Sequence, residues 1–156
     1  MRTQLCIAAI TLLLTISGPS AQPSLTYTPI ENGTQSGITT RGFHVIRHDA
    51  DFAALWQAHT AGLSPTPTAP ALDFSKKMLI WAFAGSQPNG GYRLEMTGVT
   101  HTKNRIVVSL RLLKPGEDCV VSAMMGQPFV MIALPASDWS VDFDLRESVS
   151  NCQAKR

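Results

Sequence analysis

The feature that most constrains the fold of this chain is an apolar run, Met78 to Ala84, that ends abruptly at a turn signal. Its length and its content of Leu, Ile, Trp and Phe are typical of a buried strand. Gly85 ends the run, and residues 86–91 then read SQPNGG. We therefore predict a central strand followed by a change of chain direction.

The turn signal consists of Pro88, Asn89, Gly90 and Gly91. Proline fixes φ and lacks an N–H, asparagine tolerates the left-handed region, and glycine admits positive φ, so the run favours a tight reversal. From Tyr92 to Thr97, apolar and polar residues alternate with the period of a half-buried strand. This pattern predicts a hairpin in which the second strand returns beside the first.

A helix is predicted at residues 49–62, which read DADFAALWQAHTAG. An aspartate at its beginning suits an N-cap, the alanines favour helix, and Gly62 suits a stop. Phe52, Leu55 and Trp56 repeat at i, i+3 and i+4, so they share one face. We expect the two aromatic rings to cover one side of a sheet.

Strand patterns occupy most of the remaining chain. Residues 22–47 are polar and β-prone, which predicts one or two strands, the first at a sheet edge. Further strands are predicted at residues 105–113, 119–122, 129–134 and 139–145. These elements predict an α+β fold, a mostly antiparallel β-sheet with one packed helix. A β-sandwich with a helical insert is the alternative.

The first 21 residues have the pattern of a secretory signal peptide. Arg2 precedes an apolar run from Leu5 to Ile16, and small residues follow as far as Ala21. The run is too short for a helix that spans a bilayer about 30 Å thick. We expect residues 1–21 to be removed and residues 22–156 to form a single periplasmic or secreted domain, without membrane insertion.

Two cysteines, Cys119 and Cys152, follow the signal segment. Cysteines in an oxidising compartment usually pair, so we predict one disulfide that ties the C-terminal tail to the domain. The alternative is a pair of free thiols that act as nucleophile or metal ligand. Neither a C-x-x-C spacing nor an adjacent histidine favours that alternative.

Charge and motifs argue against several classes of function. The formal net charge is +2, from 13 basic and 11 acidic residues that are mostly scattered, so no nucleic-acid partner is indicated. Gly-x-Ser-x-Gly, P-loop and His-Glu-x-x-His motifs are missing, so we predict no catalytic residue and no cofactor. His44 and His48 are four apart, but in a strand context that does not suit a zinc pair.

Other histidines and methionines have structural explanations. His59 lies near the end of the predicted helix, where an imidazolium interacts favourably with the helix dipole, and His101 lies at a predicted turn. The thioethers of Met124, Met125 and Met131 suit Cu(I), but packing in the core is the favoured interpretation. We therefore predict no metal site.

Two loop segments form the candidate binding surface, residues 87–92 and 126–129. Both combine rigid backbone with an aromatic residue at a strand end, where a partner protein binds at low ordering cost. The predicted partner-binding residues are Pro88, Asn89, Gly90, Gly91, Tyr92, Pro128 and Phe129, with the two aromatic rings as anchors. The alternative is that the glycines only make a turn and that both rings are buried.

Three segments together resemble a known family. They are FAGSQPNGGYRLEM at residues 83–96, RIVVSLRLLKPG at residues 105–116 and CVVSAMMGQPFVMIALP at residues 119–135. Their order and spacing are similar to those of the PrcB C-terminal domain family, small bacterial envelope domains named after a subunit of a surface protease complex. The resemblance implies a non-catalytic accessory role with a protein partner, a protease being the first candidate.

A second similarity provides the alternative function. The P-N-G-G-Y turn is similar to the N-P-T-T-G-Y loop of chagasin-type inhibitors of papain-like proteases, and the sequence Gln127, Pro128, Phe129 is similar to their Arg-Pro-Trp loop. The threonines and the tryptophan are missing here, and a Gly-rich middle loop is not evident. Inhibition of a cysteine protease is therefore the second hypothesis.

Overall fold

The computed structural model describes residues 22–152 of the chain. The signal peptide predicted for residues 1–21 lies outside the described residues and stays a prediction. Residues 153–156 also lie outside the described residues.

The described chain forms seven strands and one helix. In chain order they are β1 Thr28–Gly33, β2 Arg41–Ile46, α1 Asp49–Thr60, β3 Lys77–Ala84, β4 Arg93–Thr102, β5 Arg105–Pro115, β6 Phe129–Pro135 and β7 Ser140–Ser150. They build a four-stranded sheet of order β1-β6-β3-β2 and a three-stranded sheet of order β4-β5-β7. Neighbouring strands pair antiparallel apart from β5 and β7, which are parallel. The α+β class is confirmed, with the strands divided between two sheets.

A hydrophobic core lies between the two sheets. The four-stranded sheet contributes alternate residues of β3 and β6, among them Ile80 and Ile132, and the three-stranded sheet contributes Leu94, Val108 and Leu110. These side chains are almost fully buried. The alternation of β4 and β5 in the sequence reflects this arrangement, because one face of each strand meets the core and the other meets solvent.

The opposite face of the four-stranded sheet carries the helix. Leu79, Trp81 and Phe83 of β3 belong to a second apolar cluster that includes Phe52 and Trp56 of α1. The rings of Trp56 and Trp81 lie 5.8 Å apart. β3 is therefore buried on both faces, which explains why its sequence is apolar without alternation. The predictions of a central strand and of a helix over the sheet are confirmed.

The hairpin predicted after β3 is wrong. β3 pairs with β2 and β6, whereas β4 pairs with β5 in the other sheet. The turn after Ala84 thus carries the chain from one sheet to the other. A tight reversal is compatible with both outcomes, since turn residues fix the local direction of the backbone and not the partner of the next strand.

Local boundaries differ from the sequence prediction at three places. Residues 119–122 form a loop and not a strand. The helix begins after His48, which makes no side-chain cap, and Asp49 and Asp51 lie in the first turn, where carboxylates interact favourably with the helix dipole. β7 extends to Ser150 because its whole length pairs with β5. The edge position predicted for the first strand is confirmed.

Candidate functional site

Both loop segments that the sequence predicts as a binding surface lie at the same end of the two sheets. At this end β3 finishes beside the beginning of β6, where Phe83 pairs with Phe129. The first residues of β4 lie here beside the last residues of β5, where Arg93 pairs with Leu113. The segments that meet at this end are residues 34–40, 85–92, 116–128 and 151–152. We call this set of residues the loop end.

Backbone hydrogen bonds join the turn 85–92 to the segment 116–128. The N–H of Gln87 donates to the carbonyl of Gly126 at 2.7 Å, and the N–H of Gly126 donates back to Gln87 at 3.2 Å. The N–H of Gly90 donates to the carbonyl of Ser122 at 3.0 Å. The two predicted binding segments are therefore joined by hydrogen bonds at the loop end.

Gly91 lets the turn approach its neighbours closely. A Cβ at this position would lie 2.5 Å from Val121 Cγ1 and 2.8 Å from Pro115 Cβ. The N–H of Gly91 donates to Asn89 Oδ1 at 3.0 Å, the bond of an Asx turn. The turn is thus fixed both by its own side chain and by packing against the segment 116–128.

The predicted disulfide between Cys119 and Cys152 is present, with the two Cα atoms 5.0 Å apart. Two backbone contacts accompany it: Gly116 N–H donates to Ser150 O at 2.9 Å, and Cys152 N–H donates to the Asp118 carboxylate at 3.1 Å. The disulfide therefore ties the segment 116–128 to the chain that follows β7, as the sequence predicted.

Five of the predicted partner-binding residues reach the surface to different degrees. Pro88 and Gly90 are exposed, while Asn89, Gly91 and Tyr92 are half-buried. Tyr92 packs against the core between the sheets, so its ring is only partly open to a partner. The tip of the turn is consequently the accessible part of this segment.

Pro128 and Phe129 lie in the interior. Phe129 is 3% exposed, and its ring centroid is 4.4 Å from that of His59. The carbonyl of Pro128 accepts a hydrogen bond from Ala84 N–H at 2.8 Å. In this structure the Phe129 ring is not available as an anchor, and the alternative of a buried ring describes it. Both residues are buried beneath the exposed part of the loop end.

An exposed apolar stretch lies on the loop end, and it includes two of the methionines that were predicted to pack in the core. Met124 and Met125 are 70% and 58% exposed, and Val120 is fully exposed. The core interpretation holds for Met131, which is fully buried, and is wrong for the other two methionines. A signal was present in the sequence, since residues 123–127 show neither strand nor helix periodicity. Clustered exposed apolar side chains mark interaction surfaces.

A charge network borders the loop end and links the two sheets. The Glu147 carboxylate of β7 lies 3.4 Å from Arg41 Nη2 of β2 and also contacts Lys114 Nζ of β5. The hydrogen bond from Lys114 lowers the pKa of Glu147, and the same bond raises the pKa of Lys114. All three side chains are well exposed, so the network adds little to stability.

A buried pair, His59 and Ser36, holds the segment 34–40 onto the helix. His59 Nδ1 lies 2.9 Å from Ser36 Oγ, and Gly37 N–H donates to the His59 carbonyl at 2.7 Å. Burial lowers the pKa of His59 to about 4, so its ring is neutral at physiological pH. The predicted position of His59 near the end of the helix is confirmed, but the prediction of a charged ring there is wrong. Since His59 is 1% exposed, the pair does not admit a substrate.

Neither a cluster of metal ligands nor a long apolar helix occurs within residues 22–152. Within residues 22–152, no group of three or more His, Cys, Asp or Glu side chains is placed to hold a metal ion. His44 lies on β2 and His48 immediately before α1, so the two do not share a helix face. None of the described helical structure is both long and apolar enough to cross a membrane.

Comparison with known proteins finds one family. Residues 78–135 match the family described as PrcB C-terminal. The matched region runs from the beginning of β3 to the end of β6 and includes both the turn 85–92 and the segment 116–128. No curated protein and no solved structure matches the chain. The predicted similarity to chagasin-type inhibitors is not supported by these comparisons and stays a prediction.

Proposed function

We propose that the chain is an exported, non-catalytic domain that associates with a protease, because residues 78–135 match the family described as PrcB C-terminal. In this role the domain binds the enzyme and leaves the chemistry to it. The loop end is the proposed contact surface. The observation that carries the proposal is that the family match encloses the two segments that build this surface.

The rigidity of the loop end supports a binding role. Three backbone hydrogen bonds join its two main segments, through Gln87, Gly90 and Gly126, and a disulfide closes it from the other side. A surface that is already ordered loses little conformational entropy on association, so more of the contact energy appears as affinity.

The composition of the surface supports a protein as the partner. Met124, Met125 and Val120 project from the segment 116–128, beside the exposed tip of the turn at Pro88 and Gly90. Methionine side chains are flexible and polarisable, and they adapt to irregular apolar surfaces. In the proposed complex, the half-buried Asn89, Gly91 and Tyr92 determine the shape of the turn. The buried Pro128 and Phe129 pack beneath it.

Export is proposed on two grounds. The disulfide between Cys119 and Cys152 suits an oxidising compartment. The N-terminal residues Met1 to Ala21 have the charge and apolar pattern of a signal peptide. A periplasmic or secreted location follows from these two features together.

A site-specific crosslinking experiment tests the proposed function. A photoreactive amino acid replaces Met124 at the loop end or, as the control, exposed Thr102 at the opposite end of β4. After irradiation of cells that produce the protein, position 124 should crosslink to a protein that hydrolyses casein once purified, and position 102 should not. Equal crosslinking from both positions, or a partner without protease activity, would contradict the proposal.

The activity of the captured protease separates an accessory role from inhibition. An accessory domain at saturating concentration leaves the rate of casein hydrolysis unchanged or raises it. A fall in that rate would instead favour the inhibitor hypothesis.

A further inference from the structure

The three-stranded sheet has an open edge along one half of β4. The chain's own N-terminal residues cover the other half, where Leu25 N–H donates to Val99 O at 2.8 Å and His101 N–H donates to Pro23 O at 3.1 Å. Beside residues 93–96, the half nearest the loop end, no strand of the described chain pairs on that side. We call residues 93–96 the open half of β4.

A groove of about 430 Å³ runs beside the open half of β4, between β4 and β1. Its lining combines polar side chains, among them Glu31 and Asn32, with apolar ones: Tyr27, Leu94, Met96, Val130 and Ile132. Apolar side chains in a groove along a strand edge can contact alternate side chains of a second strand.

The backbone of the open half is oriented for pairing. Residues of a strand whose side chains share a face also direct their N–H and C=O groups to the same side. Val99, which uses its backbone to pair with Leu25, directs its side chain into the core, and so do Leu94 and Met96. The backbone groups of Leu94 and Met96 therefore face the groove.

The neighbouring edge strand, β1, is poorly suited to pair with an added strand. Pro29 has no N–H to donate, and the register between β1 and β6 shifts between Pro29 and Glu31. Prolines and bulges of this kind protect edge strands from further pairing. An added strand would consequently pair with β4 and not with β1.

Glu31 supplies a free negative charge to the groove. Its side chain is half-buried in the groove lining and makes no hydrogen bond or ion pair within the described part of the chain. Burial raises the pKa of this carboxyl, so an unpaired charge here is unfavourable. The nearby Glu95 carboxylate is already paired, 2.9 Å from Arg111 Nη2. One carboxylate thus remains for a cation from outside.

We propose that the open half of β4 receives an extended segment of a partner protein as an added strand, with a lysine or arginine of that segment bound to Glu31. Residues 23–25 already use this mode of pairing on the other half of the same strand. Backbone hydrogen bonds supply affinity, and Glu31 with the apolar residues of the groove selects the side chains. The site is separate from the loop end, so it stands or fails independently of the proposed function.

A peptide selection tests this inference. The probe is a displayed library of random ten-residue peptides, selected on the purified, disulfide-bonded protein. The selected peptides should share one Lys or Arg flanked at alternate positions by apolar residues. Replacement of Glu31 by Gln should weaken the binding of such a peptide about tenfold. The control Glu117→Gln, an exposed glutamate of the loop end, should leave the Kd within about twofold.

A modified peptide tests strand addition without changing the protein. Methylation of alternate backbone nitrogens of the selected peptide removes N–H donors, and it should weaken binding at least tenfold. Thermal melting checks the fold of the Glu31→Gln variant, which should melt no lower than wild type because Glu31 has no partner to lose.

Several outcomes would overturn the inference. The selection could yield no bound peptides, or peptides that share no basic residue. The selected peptide could bind wild type and Glu31→Gln with equal affinity, or it could bind equally well after methylation. A dimer in sedimentation equilibrium that excludes the peptide would assign the open half of β4 to a second copy of the chain, and would overturn it as well.

Discussion

Gly91 lies against Val121 so closely that a Cβ on the glycine would come within 2.5 Å of Val121 Cγ1. This contact presses the turn 85–92 onto the segment 116–128 and makes the loop end a single unit. Position 91 therefore requires glycine because a larger residue does not fit there. This requirement does not depend on any chemistry at the surface.

Substitution of Gly91 by Ala should destabilise the protein by about 1 to 3 kcal/mol, because the new methyl group overlaps Val121 and Pro115. Urea unfolding followed by tryptophan fluorescence measures the free energy of unfolding. The control is Gly98→Ala on β4, where a Cβ would meet nothing within 4 Å, and the change there should stay within about 0.5 kcal/mol. Equal losses at both positions would contradict the close packing.

Replacement of both Cys119 and Cys152 by Ser should lower the free energy of unfolding by about 3 to 4 kcal/mol in the chain-entropy model, since the disulfide spans 33 residues of sequence. Reduction of the wild-type protein should produce a similar loss, whereas the double variant should not respond to the reductant. Guanidinium unfolding with and without dithiothreitol makes the comparison. A wild-type protein that is insensitive to reduction would argue against a stabilising cross-link.

The buried His59 should make the protein sensitive to acid. Its pKa is lowered from 6.5 to about 4 in the folded state, so the neutral ring stabilises the fold fully above pH 6.5 and this contribution is lost as the pH falls towards 4. The loss amounts to about 3 kcal/mol. Wild type and His59→Gln are compared by urea unfolding at pH 7, 6, 5 and 4. Their difference in stability should shrink over this range, and a constant difference would contradict the assignment.

Glu31 should show the opposite dependence on pH. Burial raises its pKa in the folded state, so its ionised form reduces stability above that pKa and the penalty disappears as the carboxyl is protonated. Glu31→Gln should therefore be slightly more stable than wild type at pH 7 and equal to it near pH 4. Differential scanning calorimetry at the two pH values provides the test. A less stable variant at pH 7 would indicate that Glu31 has a partner in the folded state.

Local sequence patterns predicted much of the fold because they report burial directly. The unbroken apolar run of β3 reflects a strand covered on both faces, and the alternation in β4 and β5 reflects one buried face. The disulfide followed from the compartment and the number of cysteines. The assignment of β4 to the second sheet did not follow, because strand pairing depends on contacts distant in sequence.

The sequence identified the two loop segments of the candidate site, but it did not predict which of their side chains are exposed. The segments around Gly90 and Gly126 do meet, as turn residues at strand ends suggested. Phe129 was a candidate surface anchor with a buried ring as the alternative, and Met124 was assigned to the core. In the structure Phe129 is buried and Met124 is exposed. Apolar side chains look alike in sequence whether a protein core or a partner covers them, so the periodicity of the surrounding segment was the better guide.

The central claim is that the loop end binds a protease without blocking it, and an affinity measurement tests this most directly. Titration of the captured protease with wild type, Met124→Asp and the matched control Thr102→Asp gives three dissociation constants. We predict that Met124→Asp weakens binding at least tenfold, that Thr102→Asp changes it less than twofold, and that casein hydrolysis continues at saturation. Wild-type affinity for Met124→Asp, or loss of protease activity on binding, would contradict the account.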